Sequence, residues 1–204
     1  MLFRSVVVLH DFAFGVFIRK RAKLEEQQYD QEPGSGRLVA STYLERREVE
    51  RFKRQLAGFL DFEARFLPSF HPLHLEFSLD AAACVEYAGC NLVGRIDRID
   101  VDDAGCAVII DYKSSLNNHF SIADKDDAYL GKVQTRMYAQ AVRRLLGLDV
   151  VGALYVSYGR VPQVSGAYDA RALDAAHLPG CRPDKCACGA GDSLAFSDML
   201  DSCY

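Results

Sequence analysis

Two acids and a lysine stand out in a stretch that otherwise reads as β-structure. Residues 94–115, GRIDRIDVDDAGCAVIIDYKSS, hold two apolar, β-branched runs on either side of Asp102-Asp103-Ala104-Gly105, the signal of a β-hairpin. Asp97 sits among Val93, Ile96 and Ile99, Asp111 follows Val108-Ile109-Ile110, and Lys113 stands two positions further on. Side chains alternate along a strand, so Asp111 and Lys113 share one face and Tyr112 takes the other. Pairing of the hairpin about its turn lets Asp97 meet Asp111 on that face, and two carboxylates and an ammonium then converge. Hard oxygen donors of this kind suit Mg²⁺ or Mn²⁺. The lysine would orient, or help deprotonate, a water held by the cation. The alternative is that these acids are strand-end charges facing solvent, with Lys113 as their ion-pair partner. The three together weigh against it. Two like charges beside a hydrophobic run are costly to bury unless cations compensate them, and Lys113 supplies only one charge.

Gly94-Arg95-Ile96-Asp97-Arg98-Ile99-Asp100, followed by Ile110-Asp111-Tyr112-Lys113-Ser114, resembles the G-x-x-D-R-I-D … D-Y-K core of PD-(D/E)XK nucleases. Within that superfamily it is most similar to the RecB/AddB branch, the nuclease domains of bacterial helicase–nuclease complexes. That branch carries a Q-x-x-x-Y motif on the next helix, which Gln134-Thr135-Arg136-Met137-Tyr138 matches. The resemblance implies an α/β, restriction-endonuclease-like core, a mixed central sheet flanked by helices. It implies metal-dependent hydrolysis of DNA phosphodiester bonds, in exonuclease or endonuclease mode, within a helicase–nuclease serving double-strand break repair and recombination. Asp97 and Asp111 would hold one or two Mg²⁺ (or Mn²⁺) together with the main-chain carbonyl of Tyr112. Lys113 would orient the attacking water and offset charge growing in the transition state. Gln134 would help position the site and Tyr138 would contact the nucleic-acid backbone. The family also has a histidine on an upstream helix and an acid just before the hairpin, for which His10 and Glu76 are the candidates, as secondary ligands or supports. Their other readings are a helix-surface imidazole and a strand-edge glutamate paired with an arginine. Arg98 is expected to face away from the acids and pair elsewhere, with no catalytic role. The implied partners are DNA and a helicase–nuclease subunit or fused helicase-like region.

Those side chains need a sheet and helices to hold them. A length of 204 residues allows one domain with appendages; half are hydrophobic and a quarter charged, which supplies a sizeable core and argues against global disorder. The formal charge of −4 does not announce a nucleic-acid binder. A metal-dependent site keeps acids of its own, however, and only local basic surface need meet phosphate. The cysteines number seven, several in strand-like runs (Cys84, Cys90, Cys106), and nothing resembles a secretory leader, so reduced thiols and a cytoplasmic location are expected. Residues 6–18 are apolar but contain His10 and Asp11 and are too short to span a bilayer, so no membrane is expected among the partners.

Residues 1–29 read as a helix with a basic second half (Arg19-Lys20-Arg21, Lys23) and a partly apolar face of Leu9, Phe12, Val16 and Phe17. QEPGSGR at 31–37 is a flexible connection. Ser41-Thr42 with Glu45 makes a capping box and opens a long amphipathic helix to about Phe66, with Leu44, Val49, Phe52, Leu56, Phe59 and Leu60 at helical spacing. Arg46, Arg47, Arg51, Lys53 and Arg54 form a basic run on it, either a solvated face or a phosphate-tracking surface. Pro68 and Pro72 are expected to end this helix. Residues 74–79 form the first strand, and 84–87 and 90–101 two more, with Ala88-Gly89 at the turn. Residues 114–127 are polar and irregular, a surface loop or a substrate-contacting one. Residues 129–146 form a helix with Gln134 and Tyr138 on one face and Arg136, Arg143 and Arg144 adding positive charge. VVGALYVS at 150–157 is a buried strand, reached through the strand–helix–strand unit of a right-handed crossover. The organisation expected is one domain over 1–204, with a helical lead-in (1–67), a core (73–158) and a less regular tail (159–204) holding one more strand within 161–168.

Cys181, Cys186, Cys188 and Cys203 invite a thiolate metal site, but C-x₄-C-x-C is not a common zinc or cluster pattern, so incidental cysteines are favoured. The AddB branch often holds an iron–sulfur cluster, using one cysteine before the nuclease core and three clustered after it. That arrangement is not found here, so such a cluster is expected only in a full-length parent, of which this chain is expected to be an excised domain. Two other classes stay open: a catalytically inactive domain of the same fold that binds DNA or a partner, and a thiol-based metal module centred on residues 181–203. Intact Asp97, Asp111 and Lys113 argue against the first.

Overall fold

Residues 43–80, 85–87, 90–116, 134–186, 196–198 and 200 are described by the computed structural model. Contacts divide the chain into two compact units, Met1–Asp61 and Phe62–Tyr204. Helix α1 (Tyr43–Glu63) forms where the spacing of apolar residues predicts it. Its basic run is interleaved with acids: exposed Arg51 pairs with Glu48, and exposed Lys53 with Glu50 at 2.8 Å. Those pairs support the solvated-face reading. The helix stops at Glu63, short of Phe66, because Leu67 adopts φ +50° ahead of Pro68 and so leaves the helical region. Pro72 takes no part in ending it. It lies within strand β1 (His71–Leu79), where a proline is tolerated because β1 is an edge of its sheet. The predicted helix over 1–29, His10 and the capping residues Ser41 and Thr42 lie outside the described residues.

The single strand expected over 90–101 is two. β2 (Glu86–Tyr87) pairs with β3 (Cys90–Asn91) in a small separate sheet, and β4 (Gly94–Val101) begins after the break at Leu92-Val93 and pairs with β1. β4 then turns into β5 (Cys106–Lys113) through the predicted loop. Asp102 closes that loop with its own carboxylate, accepting the Ala104 and Cys106 amides at 2.9 and 2.8 Å, while Gly105 supplies φ +87°. The register that results sets Ile99 opposite Ile109 and Arg98 opposite Ile110.

Helix α2 (Gln134–Leu146) carries the chain to β6 (Asp149–Ser157), which pairs parallel with β5. Gly147 ends α2 at φ +65° and donates its amide to Arg143 O at 3.1 Å. β7 (Val164–Tyr168) follows antiparallel to β6, and a 3₁₀ turn (Ala175–His177) leads to β8 (Cys181–Cys186), parallel to β7. The tail is therefore more regular than its sequence pattern indicates. Its last strand, CRPDKC, has neither alternation nor an apolar run, as befits an edge. The order β1-β4-β5-β6-β7-β8 is the mixed α/β sheet expected of a restriction-endonuclease-like core.

Strand alternation gives this sheet two unlike faces. On one, Ile99, Val101, Ala107 and Ile109 pack with Ala139, Ala141 and Val142 of α2 in the main apolar cluster, which Phe196 and Leu200 complete. On the other, Val108 lies where a side chain on Gly152 would also meet Leu173. Charged groups are buried near both.

Candidate active site

At the end of β5 the apolar pattern gives way to Asp111 and Lys113, and the structure brings them into contact. The Lys113 ammonium forms an ion pair with Asp111 Oδ2, donates to Gln134 Oε1 at 3.1 Å and lies 5.7 Å from the centroid of the Tyr155 ring. Gln134 Nε2 in turn donates to Tyr138 Oη at 3.0 Å. Tyr138 lies against the start of β4, for a Cβ on Gly94 would stand 3.0 Å from its hydroxyl. Thus Asp111, Lys113, Gln134, Tyr138 and Gly94 form one continuous chain of contacts, although they come from two strands and a helix. Continuing the β4–β5 register one step past Arg98–Ile110 sets Asp97 opposite Asp111. The Asp97 carboxylate accepts the main-chain amide of Tyr112 at 2.8 Å. Both acids are buried, at 7% and 2% exposure.

Tyr112 points to the opposite face, as alternation requires, and enters a buried charged network. Arg98 grips Asp100 with a two-pronged fork, Nε to Oδ1 at 2.6 Å and Nη2 to Oδ2 at 2.5 Å. Its Nη1 reaches Glu63 Oε2 at 2.6 Å and Tyr112 Oη at 2.9 Å, and the Tyr112 hydroxyl donates to Glu63 Oε1 at 3.0 Å. Arg98 therefore faces away from Asp97 and pairs elsewhere, as expected. Glu63 was not foreseeable from the β4–β5 motif, yet a signal exists. It stands on α1 four residues after Phe59 and three before Phe66, both buried, so it is an acid on an apolar stripe. Tyr155 is the other unforeseen neighbour; it pairs with Asp111 across β5–β6.

Burial sets the titration of this region. The Arg98 guanidinium would be lowered by burial alone, but Tyr112, Asp100 and Glu63 outweigh that and hold it well above its ordinary value. Burial pushes the Tyr112 phenol well up, with Arg98 opposing and Glu63 and Asp100 adding to the rise. Burial likewise raises Tyr155, opposed by its bond with Thr135 and aided by the charge of Asp111. Phenols ionise more readily in the unfolded chain than here, so the stability tied to these two neutral rings is complete below about pH 10 and is lost as pH rises above it. Urea midpoints measured from pH 8 to 11 should fall steeply above about 10, and in step with tyrosinate absorbance. A flat profile would contradict the assignment.

The donor set fits a divalent cation of the Mg²⁺ type. Asp97 and Asp111 are two buried carboxylates at one strand end, with the Lys113 ammonium paired to Asp111, and a divalent cation is the kind of charge that offsets the cost of burying like charges together. Among the described residues no three His, Cys, Asp or Glu side chains gather into a ligand set. An ion held by one or two carboxylates that keeps several waters suits such a site better than one that needs a full protein cage. Glu76 adopts φ +54° and pairs with Arg95 at 2.9 Å. His10, the loop at 117–127, Cys188 and Cys203 fall outside the described residues. Cys106 is a free thiol.

Residues 17–185 match the family model of the PD-(D/E)XK nuclease superfamily. No curated protein matches the chain. No helix among the described residues is long and apolar enough to cross a membrane.

Proposed function

Because the chain belongs to the PD-(D/E)XK nuclease superfamily, we propose that it hydrolyses DNA phosphodiester bonds with the help of Mg²⁺ or Mn²⁺ at Asp97 and Asp111. The observation that carries the reading is the contact chain from Asp111 through Lys113 and Gln134 to Tyr138, beside an Asp97 tied to the same strand end. Residues separated in sequence meet at one place, two buried acids and an ammonium among them. A divalent ion of the kind this superfamily generally uses polarises a scissile phosphate and lowers the pKa of a bound water.

The chain's own groups do the rest. Asp97 and Asp111 supply hard anionic oxygen, and the Tyr112 carbonyl is the neutral donor between them. Two of the three Lys113 protons are directed at Asp111 and Gln134, which aims the third at an incoming water or phosphate oxygen. The Tyr155 ring and Gln134 keep that ammonium from swinging away. Tyr138, buried and accepting from Gln134, is the residue assigned to the nucleic-acid backbone on the strength of the Q-x-x-x-Y resemblance. We assign the chain to the RecB/AddB branch on its G-x-x-D-R-I-D, D-Y-K and Q-x-x-x-Y residues, and hence to a helicase–nuclease acting in cytoplasmic break repair.

Linear single- and double-stranded DNA incubated with the protein should be degraded with Mg²⁺ or Mn²⁺ and left intact with EDTA or by Asp97→Ala. Equal degradation by Asp97→Ala, or none by the wild type with either metal, would refute the proposal.

A further inference from the structure

We propose that Tyr112 is a positioning residue for this site. Its phenol, held on one face of the sheet, fixes the main-chain amide that holds the Asp97 carboxylate on the other; the inference rests on the metal-dependent nuclease reading. The two attachments belong to a single residue. The β4–β5 pairing runs to Arg98 opposite Ile110, and past it the Tyr112 amide is taken by Asp97 Oδ2 at 2.8 Å. The orientation of that carboxylate therefore follows the Tyr112 peptide plane. The plane is in turn held from one side by the ladder to β6, where Tyr112 pairs with Val156, and from the other by what grips the ring.

That grip is saturated and stiff. The phenol donates to Glu63 and accepts from Arg98, so both its capacities are used. Arg98 cannot follow a drifting ring, because its other nitrogens are locked onto Asp100. Glu63, Arg98 and Asp100 have side chains 6%, 3% and 0% exposed, so no water stands by to replace a lost partner. A rotation of Tyr112 would strand a buried carboxylate oxygen, which is costly. The network thus acts through Tyr112 as an outer support for Asp97, comparable to the hydrogen-bond partners that orient ligands at metal sites.

Tyr112→Phe removes the hydroxyl and keeps the ring. Two readouts separate positioning from mere stability. The first is Mn²⁺ affinity of the folded protein without DNA, measured by paramagnetic resonance. It should weaken about tenfold or more, and the metal concentration that half-saturates cleavage should rise in proportion, while excess metal restores the rate. A purely structural hydroxyl would lower the unfolding midpoint and leave these values alone. The second is hydrogen exchange at the amide of residue 112 in metal-free protein, which should accelerate against unchanged exchange at Ile99 and Ile109. Should Tyr112→Phe not fold, Glu63→Gln weakens the hold on Arg98 and should shift both readouts in the same direction by less. Unchanged Mn²⁺ affinity in the variant beside a binding wild type overturns this inference alone. A wild type that binds no Mn²⁺ overturns the nuclease reading instead, and unchanged amide exchange then still decides against the coupling.

Discussion

Lys113→Ala should yield a protein that binds divalent metal as well as before, or better, and no longer cuts DNA. The ammonium neutralises Asp111 and is held by Gln134 above the Tyr155 ring. Deleting it removes a cation that competes with metal for Asp111, so affinity holds or rises. It also removes the donor proposed to meet the charge that develops on phosphate, for which the expected loss is about a hundredfold to a thousandfold. Asp111→Asn behaves differently. It removes anionic oxygen from the site, so metal affinity and cleavage should fall together. Mn²⁺ titration and DNA digestion on the same two preparations make the comparison. Wild-type cleavage by Lys113→Ala, or loss of its metal binding, would contradict the role assigned here.

The second large effect lies on the other face and concerns stability. Arg98→Met should destabilise the Phe62–Tyr204 unit by about 3–5 kcal/mol, because it leaves Glu63 and Asp100 buried without their cation. Arg98→Lys should recover little, since a compact ammonium cannot make the fork to Asp100 and still reach Glu63 and Tyr112. Removing all three charges together, as Glu63→Leu, Arg98→Met and Asp100→Leu, should cost less than Arg98→Met alone. The desolvation of two carboxylates vanishes along with their partner. Urea denaturation of these variants gives the order. An Arg98→Met midpoint at the wild-type value would show that the network is not the buried anchor described.

Much of this was legible in the residues. The hairpin was readable because its turn chemistry is local: Asp102 and Gly105 satisfy a loop that their own side chain and backbone freedom dictate. β6 was readable because a doubly covered strand is apolar throughout, and α2 because its buried stripe has helical period. β8 was not, since CRPDKC, at the edge of the sheet, has neither alternation nor an apolar run in its sequence. Pro72 misled for the same reason: whether a proline ends a helix or sits in an edge strand depends on neighbours far away in sequence. At the site, Asp111, Lys113, Gln134 and Tyr138 could be grouped from alternation, helix spacing and the family resemblance. Glu63 could not be joined to Arg98, because a helix end and a strand that meet only in three dimensions share no local rule. Glu76 and Arg95 meet between neighbouring strands β1 and β4, a contact that the pattern of either strand alone does not show.

The close approach between Gly94 and Tyr138 bears on how relatives of this chain should be weighed. The first glycine of the strand signature and the last tyrosine of the helix signature look like two separate pieces of evidence. In space they are neighbours: a Cβ on Gly94 would stand 3.0 Å from the Tyr138 hydroxyl, so the ring would have to give way by a few tenths of an ångström. A chain that keeps one and enlarges the other has not simply retained half of the pattern; it has to refit the contact. Scoring the two positions as independent matches counts one steric fact twice, whereas scoring them as a pair separates relatives that share this geometry from those that share only letters.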